Sequence, residues 1–257
     1  MDFNFDAQPG LKKFERKPRT VGKPLVSIVT PFYNAGRYIR QTANCIFNQT
    51  FPHFEWIIVN DGSTNREDIQ LLEELTREDN RVKVYHKENG GISTARNLGI
   101  KKADADIVAI LDADDLLEPT YLECAYFSLL TNPEAGWSYT DSVGFQNMCY
   151  LWKKPFSVQK LKRENFLTEM AVFRKEALFK VGLYDESEKH FYEDWHMWLK
   201  LLRQGIYPLH LGYYGAWYRR IDNGVLGLVN RDPQKHARAM AMIGSVAREV
   251  DDSLRAV

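Results

Sequence analysis

Asp112, Asp114 and Asp115 lie within four positions, directly after the apolar run Ile107–Leu111, in the stretch DIVAILDADDLL. A short apolar run bounded by polar residues reads as a buried strand. Carboxylates gathered at its end repel one another and resist desolvation unless positive charge sits among them. A divalent cation supplies that charge, since hard cations such as Mg²⁺ take carboxylate oxygen and keep positions open for phosphate. In open α/β sheets, ligands bind beyond the carboxyl ends of strands. The stretch therefore points to a metal-bound phosphate or diphosphate at a strand end. Taken alone it also fits an acidic turn before a helix start, where Asp is favoured for capping.

The elements that would position these acids alternate regularly. Leu25–Thr30 reads as a β-branched, buried strand, broken by Pro31-Phe32-Tyr33-Asn34. A helix fits Arg37–Gln49, with Ile39, Ala43, Ile46 and Phe47 on one side. Phe54–Asn60 is a second strand. The turn Asp61–Asn65 leads to a helix capped by Asn65 and running to about Asp79. Arg81–Lys87 reads as a third strand, Glu88–Gly91 as a loop and Ser93–Ala103 as a helix leading into Ile107–Leu111. Such alternation implies right-handed crossovers and a largely parallel sheet. Pro31–Asn34, Asp61–Thr64, Asn89–Ser93 and Asp112–Asp115 then share one end of that sheet and make a composite site.

The second half is less regular. Pro119–Leu130 reads as a helix, Gly136–Thr140 and Glu169–Phe173 as strands, and Lys175–Val181 as a short helix closed by Gly182. Tyr192–Arg203 is an amphipathic helix, with Trp195, Trp198, Leu199 and Leu202 on one face. Ile206–Tyr218 is extended, Arg219–Asp232 a loop and Pro233–Val250 a final helix with the stripe Ala239, Met242, Ile243, Val246. That stripe is open to three uses: packing on the domain, pairing with another subunit as a homo-oligomer, or lying on a membrane. Ser142–Glu164 resists assignment.

Composition narrows the function classes. Over 257 residues, 34 basic and 34 acidic side chains give a formal net charge of +0. That balance argues against a general nucleic-acid binder. Cys45, Cys124 and Cys149 are scattered with no C-x-x-C, which favours reduced thiols and a cytoplasmic setting. No apolar run approaches the roughly 20 residues of a membrane span. Residues 1–23 lack the apolar centre of a signal peptide. They read as a polar leader whose Lys12, Lys13, Arg16, Lys17, Arg19 and Lys23 also suit peripheral contact with an anionic inner membrane face. The six histidines show no zinc spacing.

Three stretches in order, VSIVTPFYNAGRYIRQTANCIFNQTFPHFEWIIVNDGST, ENGGISTARNLGI and ADIVAILDADDLLEP, resemble the family 2 glycosyltransferases of the GT-A fold. The resemblance covers about Pro24 to Arg219 and is denser in the first half. It implies an α/β, Rossmann-like, mostly parallel mixed sheet flanked by helices, with a C-terminal acceptor-side subregion and a terminal helix. By it, residues 24–232 form the domain, 24–118 its nucleotide-sugar half and 119–232 its acceptor half, with 233–257 as the C-terminal helix. It implies transfer with inversion of one sugar from a nucleoside-diphosphate sugar, chiefly a UDP-sugar, to a glycan or glycolipid hydroxyl, with Mn²⁺ or Mg²⁺ as cofactor.

The resemblance also assigns residues. Asp114 would ligate the metal, and Asp112 would touch the ribose or share the metal; metal and donors together stabilise the departing diphosphate. Asp61 would accept a hydrogen bond from the base, usually uracil N3–H, with Gly62 allowing the turn beside it. Pro31, Tyr33 and Asn34 match the first nucleotide loop, and Asn89 and Arg96 the third. Ala113 completes the donor-side set. Arg96 would reach the diphosphate or brace the acidic pair. In Phe191-Tyr192-Glu193-Asp194-Trp195, Asp194 would be the general base for the acceptor hydroxyl and Glu193 its support. Without the resemblance, both acids are ordinary helix-start carboxylates.

Two departures matter. Trp217-Tyr218-Arg219-Arg220-Ile221-Asp222-Asn223-Gly224 keeps the family's Tyr-Arg but lacks the following His, so Asp222, Asn223 or water would complete a metal shell. There is no Q-x-x-R-W, the mark of processive synthases, which favours single addition. Two other readings stand beside the transferase: a non-catalytic nucleotide-sugar binder with the same fold, and a phosphatase of the haloacid-dehalogenase type. The latter expects its acidic motif on the first strand, whereas here it follows the fourth.

Overall fold

Val26–Phe32 forms β1, and every residue of it is buried. A strand covered on both faces has this continuous apolar character. The computed structural model describes residues 3–11, 22–187, 192–221 and 232–251. After β1 come α1 (Gly36–Phe47), β2 (Phe54–Asp61), α2 (Arg66–Glu78), β3 (Val82–Lys87), α3 (Ile92–Lys102) and β4 (Ile107–Ile110). β1 pairs in parallel with both β2 and β4, and β2 with β3. The alternation of strand and helix makes this first half.

The second half builds onto the far edge of β4. It contributes β5 (Leu116–Leu117), α4 (Tyr121–Thr131), β6 (Trp137–Gln146), β7 (Tyr150–Trp152), α5 (Val158–Leu161), β8 (Ala171–Arg174), α6 (Lys175–Lys180), α7 (Glu193–Arg203), β9 (Pro208–Arg220) and α8 (Pro233–Glu249). The strands join one sheet in the order β3-β2-β1-β4-β8-β6-β9-β5, with β7 beside β6. β8 runs antiparallel to β4 and β6, while β6 and β9 run parallel across a register shift near Asp141. The result is one mixed sheet, parallel in its first half.

Successive residues of the strands enter different cores, as the two-residue period of a strand requires. Val29, Ile57, Val59, Val108 and Ile110 join one cluster; Ile28, Trp56, Ile58, Ile107 and Ala109 join the other. α7 lies over the first cluster. Trp198 stacks on Trp137 at 4.5 Å between ring centroids and on Phe173 at 5.6 Å. Asn97 of α3 accepts from Tyr184 N and donates to Tyr184 O, tying the segment before α7 to the first half.

Several boundaries differ from the sequence reading. Pro31 is a β1 residue, in register with Val59. Val29 O accepts from Leu111 N, so Val29 faces β4. Pro31, two residues on, faces the same side beyond the last β1–β4 pair, where its missing N–H costs no ladder bond. β9 extends through Arg220, so Arg219 and Arg220 are strand residues rather than loop residues. Ser142–Glu164 resolves into the end of β6, the strand β7 and the short α5. Residues 3–11 lie against α1 and β9: Asn44 Nδ2 donates to Gly10 O, and Phe3 packs on Trp217. Of the uses open to the α8 stripe, packing on its own domain is observed, with Ala239, Ile243 and Val246 buried. Asp222, Asn223, Gly224, His190, Phe191 and most basic residues of the leader lie outside the described residues.

Candidate active site

The acidic turn after β4 and the start of α7 converge on Arg96. α3 buries this arginine to 1% exposure. Its Nη2 donates to Asp112 Oδ1 at 2.8 Å and its Nη1 to Glu193 Oε1 at 2.9 Å, with Glu169 Oε2 3.7 Å from Nη1. Burial works against its charge, but Asp112, Glu169 and Glu193 hold its pKa well above the ordinary value. One guanidinium thus joins an acid after β4 to an acid at the start of α7. Only a planar fork reaches both at once.

The acidic turn is braced from two sides. Thr42 of α1 donates its hydroxyl to Ala113 O at 2.9 Å and to Asp115 O at 3.1 Å. Arg219 of β9 donates its backbone N–H to Asp115 Oδ1 at 2.8 Å and Nε–H to Asp114 O at 2.6 Å. Its guanidinium lies over the rings of Tyr38 and Phe145 and donates to Gln41 and Gln146. Asp115 is therefore a buried structural acid, pushed well up by burial and by the charges of Asp114 and Asp112. Asp114 is raised to about 6 by burial and by Asp112. Among the described residues no side chain bonds the Asp114 carboxylate.

On the other flank, Tyr192 takes a left-handed conformation, φ 60°, and starts α7. Asp194 Oδ2 accepts from Asn165 Nδ2 at 2.8 Å, and Oδ1 accepts from Trp195 N at 2.6 Å. Burial, then the neighbouring Glu193 charge, lifts the Asp194 carboxyl to about 6. A carboxylate poised there is a competent proton acceptor near neutral pH. Glu169, beside it, accepts a short bond from the Tyr184 hydroxyl; burial pushes it well above the carboxylate range.

The loops after β1, β2 and β3 are bonded to one another. Asn34, at φ 48°, accepts from Thr64 N and Asn65 N and donates to Thr64 Oγ1, clipping the loop after β1 to the loop after β2. Asn tolerates this left-handed backbone better than most residues. Tyr33 is 51% exposed beside it. Asp61 is buried and receives Lys87 Nζ, Gly90 N and Gly91 N, while Asn89 Nδ2 donates to Asp61 O. Gly62, at φ 73°, approaches so closely that a Cβ would lie 2.7 Å from Asn89 N.

Thus Asp112, Arg96 and Glu193 are in direct contact. Ala113, Asp114 and Asp194 adjoin them in the chain. Asn34, Asp61 and Asn89 interlock as loops, and Pro31 is a strand residue that feeds into them. Sequence reasoning missed Glu169, Tyr184, Asn165 and Lys87. A lone acid in the apolar stretch around Met170–Phe173 was a signal for Glu169; Lys87 had none before β3 was placed beside β2.

Residues 27–182, more than half of the chain, match the family "Glycosyl transferase family 2". The chain belongs to glycosyltransferase family 2. It is 31% identical over 192 residues to the uncharacterized glycosyltransferase EpsJ of Bacillus subtilis (strain 168), covering 72% of this chain and 49% of EpsJ. To the putative teichuronic acid biosynthesis glycosyltransferase TuaG of the same organism it is 30% identical, covering 79% of this chain and 82% of TuaG. The chain thus spans about half of EpsJ and most of TuaG. Its fold is similar to that of S. aureus TarS in complex with UDP-GlcNAc, with a TM-score of 0.71, 21% identity, and coverage of 86% of this chain and 66% of that one. It is also similar to the mannosyltransferase PcManGT from Pyrobaculum calidifontis in complex with GDP-Man and Mn²⁺, with a TM-score of 0.66, 17% identity, and coverage of 93% and 72%. At 21% and 17% identity, these two likenesses are likenesses of fold.

Proposed function

We propose that this family 2 protein moves one sugar from a nucleoside-diphosphate sugar, chiefly a UDP-sugar, to a hydroxyl of a cell-surface glycan or its lipid-linked precursor, with inversion at the anomeric carbon. The observation that carries the reading is the pair of hydrogen bonds that buried Arg96 donates to Asp112 and Glu193. It ties the acid beyond β4 to the first acid of α7 through the two amino nitrogens of one cation. A displacement reaction needs its donor and acceptor groups held together in this way, and it needs the base opposite the leaving group.

Asp194 takes the acceptor proton, and Asn165 with the Trp195 N–H orients it. Glu193, held by Arg96, fixes the start of α7 beside it. Pro31, Tyr33, Asn34, Asp61 and Asn89 line the nucleotide, with Asp61 reading the base and Tyr33 packing on it. Residues 24–118 serve the donor and 119–232 the acceptor, and α8 covers α7.

A divalent ion fits the acidic turn by the chemistry of its donor set. Among the described residues no group of three or more His, Cys, Asp or Glu forms a ready cage. Yet burial and its neighbour Asp112 raise the Asp114 carboxyl against the opposing charge of Arg219, so it gains from a further cation. Mn²⁺ or Mg²⁺ held by Asp114 and Asp112 would supply positive charge against the diphosphate, with nucleotide oxygens and water filling the other positions.

No described helix is long and apolar enough to cross a membrane. The experiment that tests the function is incubation of the full chain with a panel of nucleotide sugars and Mn²⁺, following release of the nucleoside diphosphate. UDP release from one UDP-sugar, accelerated by a glycan acceptor, is the expected result. Binding of UDP with no turnover of any donor would instead favour a nucleotide-sugar-binding protein.

A further inference from the structure

Asp61 ends β2 and Lys87 ends β3, and the two are register partners on adjacent parallel strands. Their side chains therefore rise on the same side of the sheet, at its carboxyl edge. The Lys87 ammonium has three protons to give. All three are spent: on Asp61 Oδ1 at 2.6 Å, Glu88 O at 2.6 Å and Thr94 Oγ1 at 2.8 Å. Lys87 has nothing left to offer a ligand.

The Asp61 carboxylate is loaded in turn. An ionised carboxylate has about four acceptor positions, two on each oxygen. Oδ1 holds Lys87 Nζ and the Gly90 N–H at 3.0 Å. Oδ2 holds the Gly91 N–H at 2.8 Å. One position remains, on Oδ2.

We infer that Lys87 sets the base specificity of the donor site, by occupying Asp61 Oδ1 so that the carboxylate can accept one N–H from a nucleobase and not two. This rests on the reading of Asp61 as the residue that meets the base. Uracil presents a single donor on its pairing edge, N3–H, flanked by carbonyl oxygens. Guanine presents two adjacent donors, N1–H and N2–H, which suit both oxygens of a free carboxylate. At Asp61 the second guanine donor finds Oδ1 taken and is buried without a partner. A buried unsatisfied donor reduces binding by roughly ten- to a hundredfold. The chain therefore takes uridine rather than guanosine diphosphosugars.

The test is isothermal titration of the full chain with UDP and with GDP, each with Mg²⁺. The wild type binds UDP at least about tenfold more tightly than GDP. Lys87→Met keeps the stem but frees one position on Oδ1 beside the Gly90 N–H, and the UDP-to-GDP ratio narrows about tenfold, mainly through tighter GDP binding. Lys87→Arg keeps a donor on Oδ1 and keeps the wild-type ratio. A thermal melt without nucleotide shows whether each variant folds, and the wild-type ratio needs no variant. Equal affinity of the wild type for the two nucleotides overturns the inference, as does an unchanged ratio in folded Lys87→Met. In both cases the nucleotide site itself stands. If neither nucleotide binds the wild type, the reading of the site falls first and this inference with it.

Discussion

At the scale of single residues, the chemistry turns on which acids are free to act. Asp115 is consumed by the Arg219 N–H and Asp112 Oδ1 by Arg96, whereas Asp194 keeps its oxygens on an amide and a backbone N–H. Amide and N–H partners orient a carboxylate without neutralising it. Asp194→Asn preserves this shape and removes the basicity. Its kcat should fall by about 10²–10⁴-fold while UDP affinity, read by titration, stays unchanged. Full activity in the asparagine variant would move the base elsewhere. A base must be ionised to work, so activity in the wild type should rise with pH through about 6, the value to which burial and Glu193 lift this carboxyl. Glu193→Gln loses its ion pair with Arg96 and should lower kcat by less than the Asp194 change does.

At the scale of elements, the question is what holds α7 and the acidic turn in place. Trp198 stacks between α7 and the sheet, on Trp137 and Phe173. Trp198→Ala should cost about 3–5 kcal/mol in urea unfolding, because the stack leaves a cavity that a rigid sheet cannot close. A loss under about 1 kcal/mol would show that something else anchors the helix. This scale also shows what was legible beforehand. β1 to β4 and their helices could be read from alternating apolar runs, and the acids of the turn from their spacing. The amphipathic stripe of α7, with Trp195, Trp198, Leu199 and Leu202, was equally plain. The rest was not, because it depends on pairs far apart in the chain. β5 is only two residues long and exists through pairing with Trp217 and Ala216. β9 runs on to Arg220 because it lies in parallel with β6 as far as Gln146, and no local signal extends a strand through two arginines. Lys87 acquires its meaning only once β3 is placed beside β2, and Glu169 only once Arg96 of α3 and Tyr184 are brought to it.

At the scale of the whole molecule, the site and the stability of the fold act on each other through protons. Asp114 is raised to about 6 from an ordinary 3.8, so the folded chain holds a proton that the unfolded chain releases. Its contribution to stability is complete below the unfolded value and is lost as pH rises through the folded value. His196 works in the opposite sense: burial lowers it to about 4, so its contribution is present above about 6.5 and is lost as pH falls. The two overlap, so a melting curve of the wild type alone does not separate them. Asp114→Asn does, because it holds position 114 in the neutral form. In EDTA the gap between the variant and the wild type should be smaller at pH 5, where only part of the contribution is lost, than at pH 8. At pH 8 the variant should melt higher, by roughly 2–4 °C for each kcal/mol of repulsion removed. Adding Mn²⁺ with UDP should reverse that order. The wild type gains stability as its ionised carboxylate takes the ion, and gains less at pH 5, where a proton competes. The variant should gain little at either pH. A wild type whose melting temperature ignores Mn²⁺ at pH 8 in the presence of UDP would remove the metal from the acidic turn. Asp112 and Asp114 would then have to meet the donor through Arg96 and the loops alone.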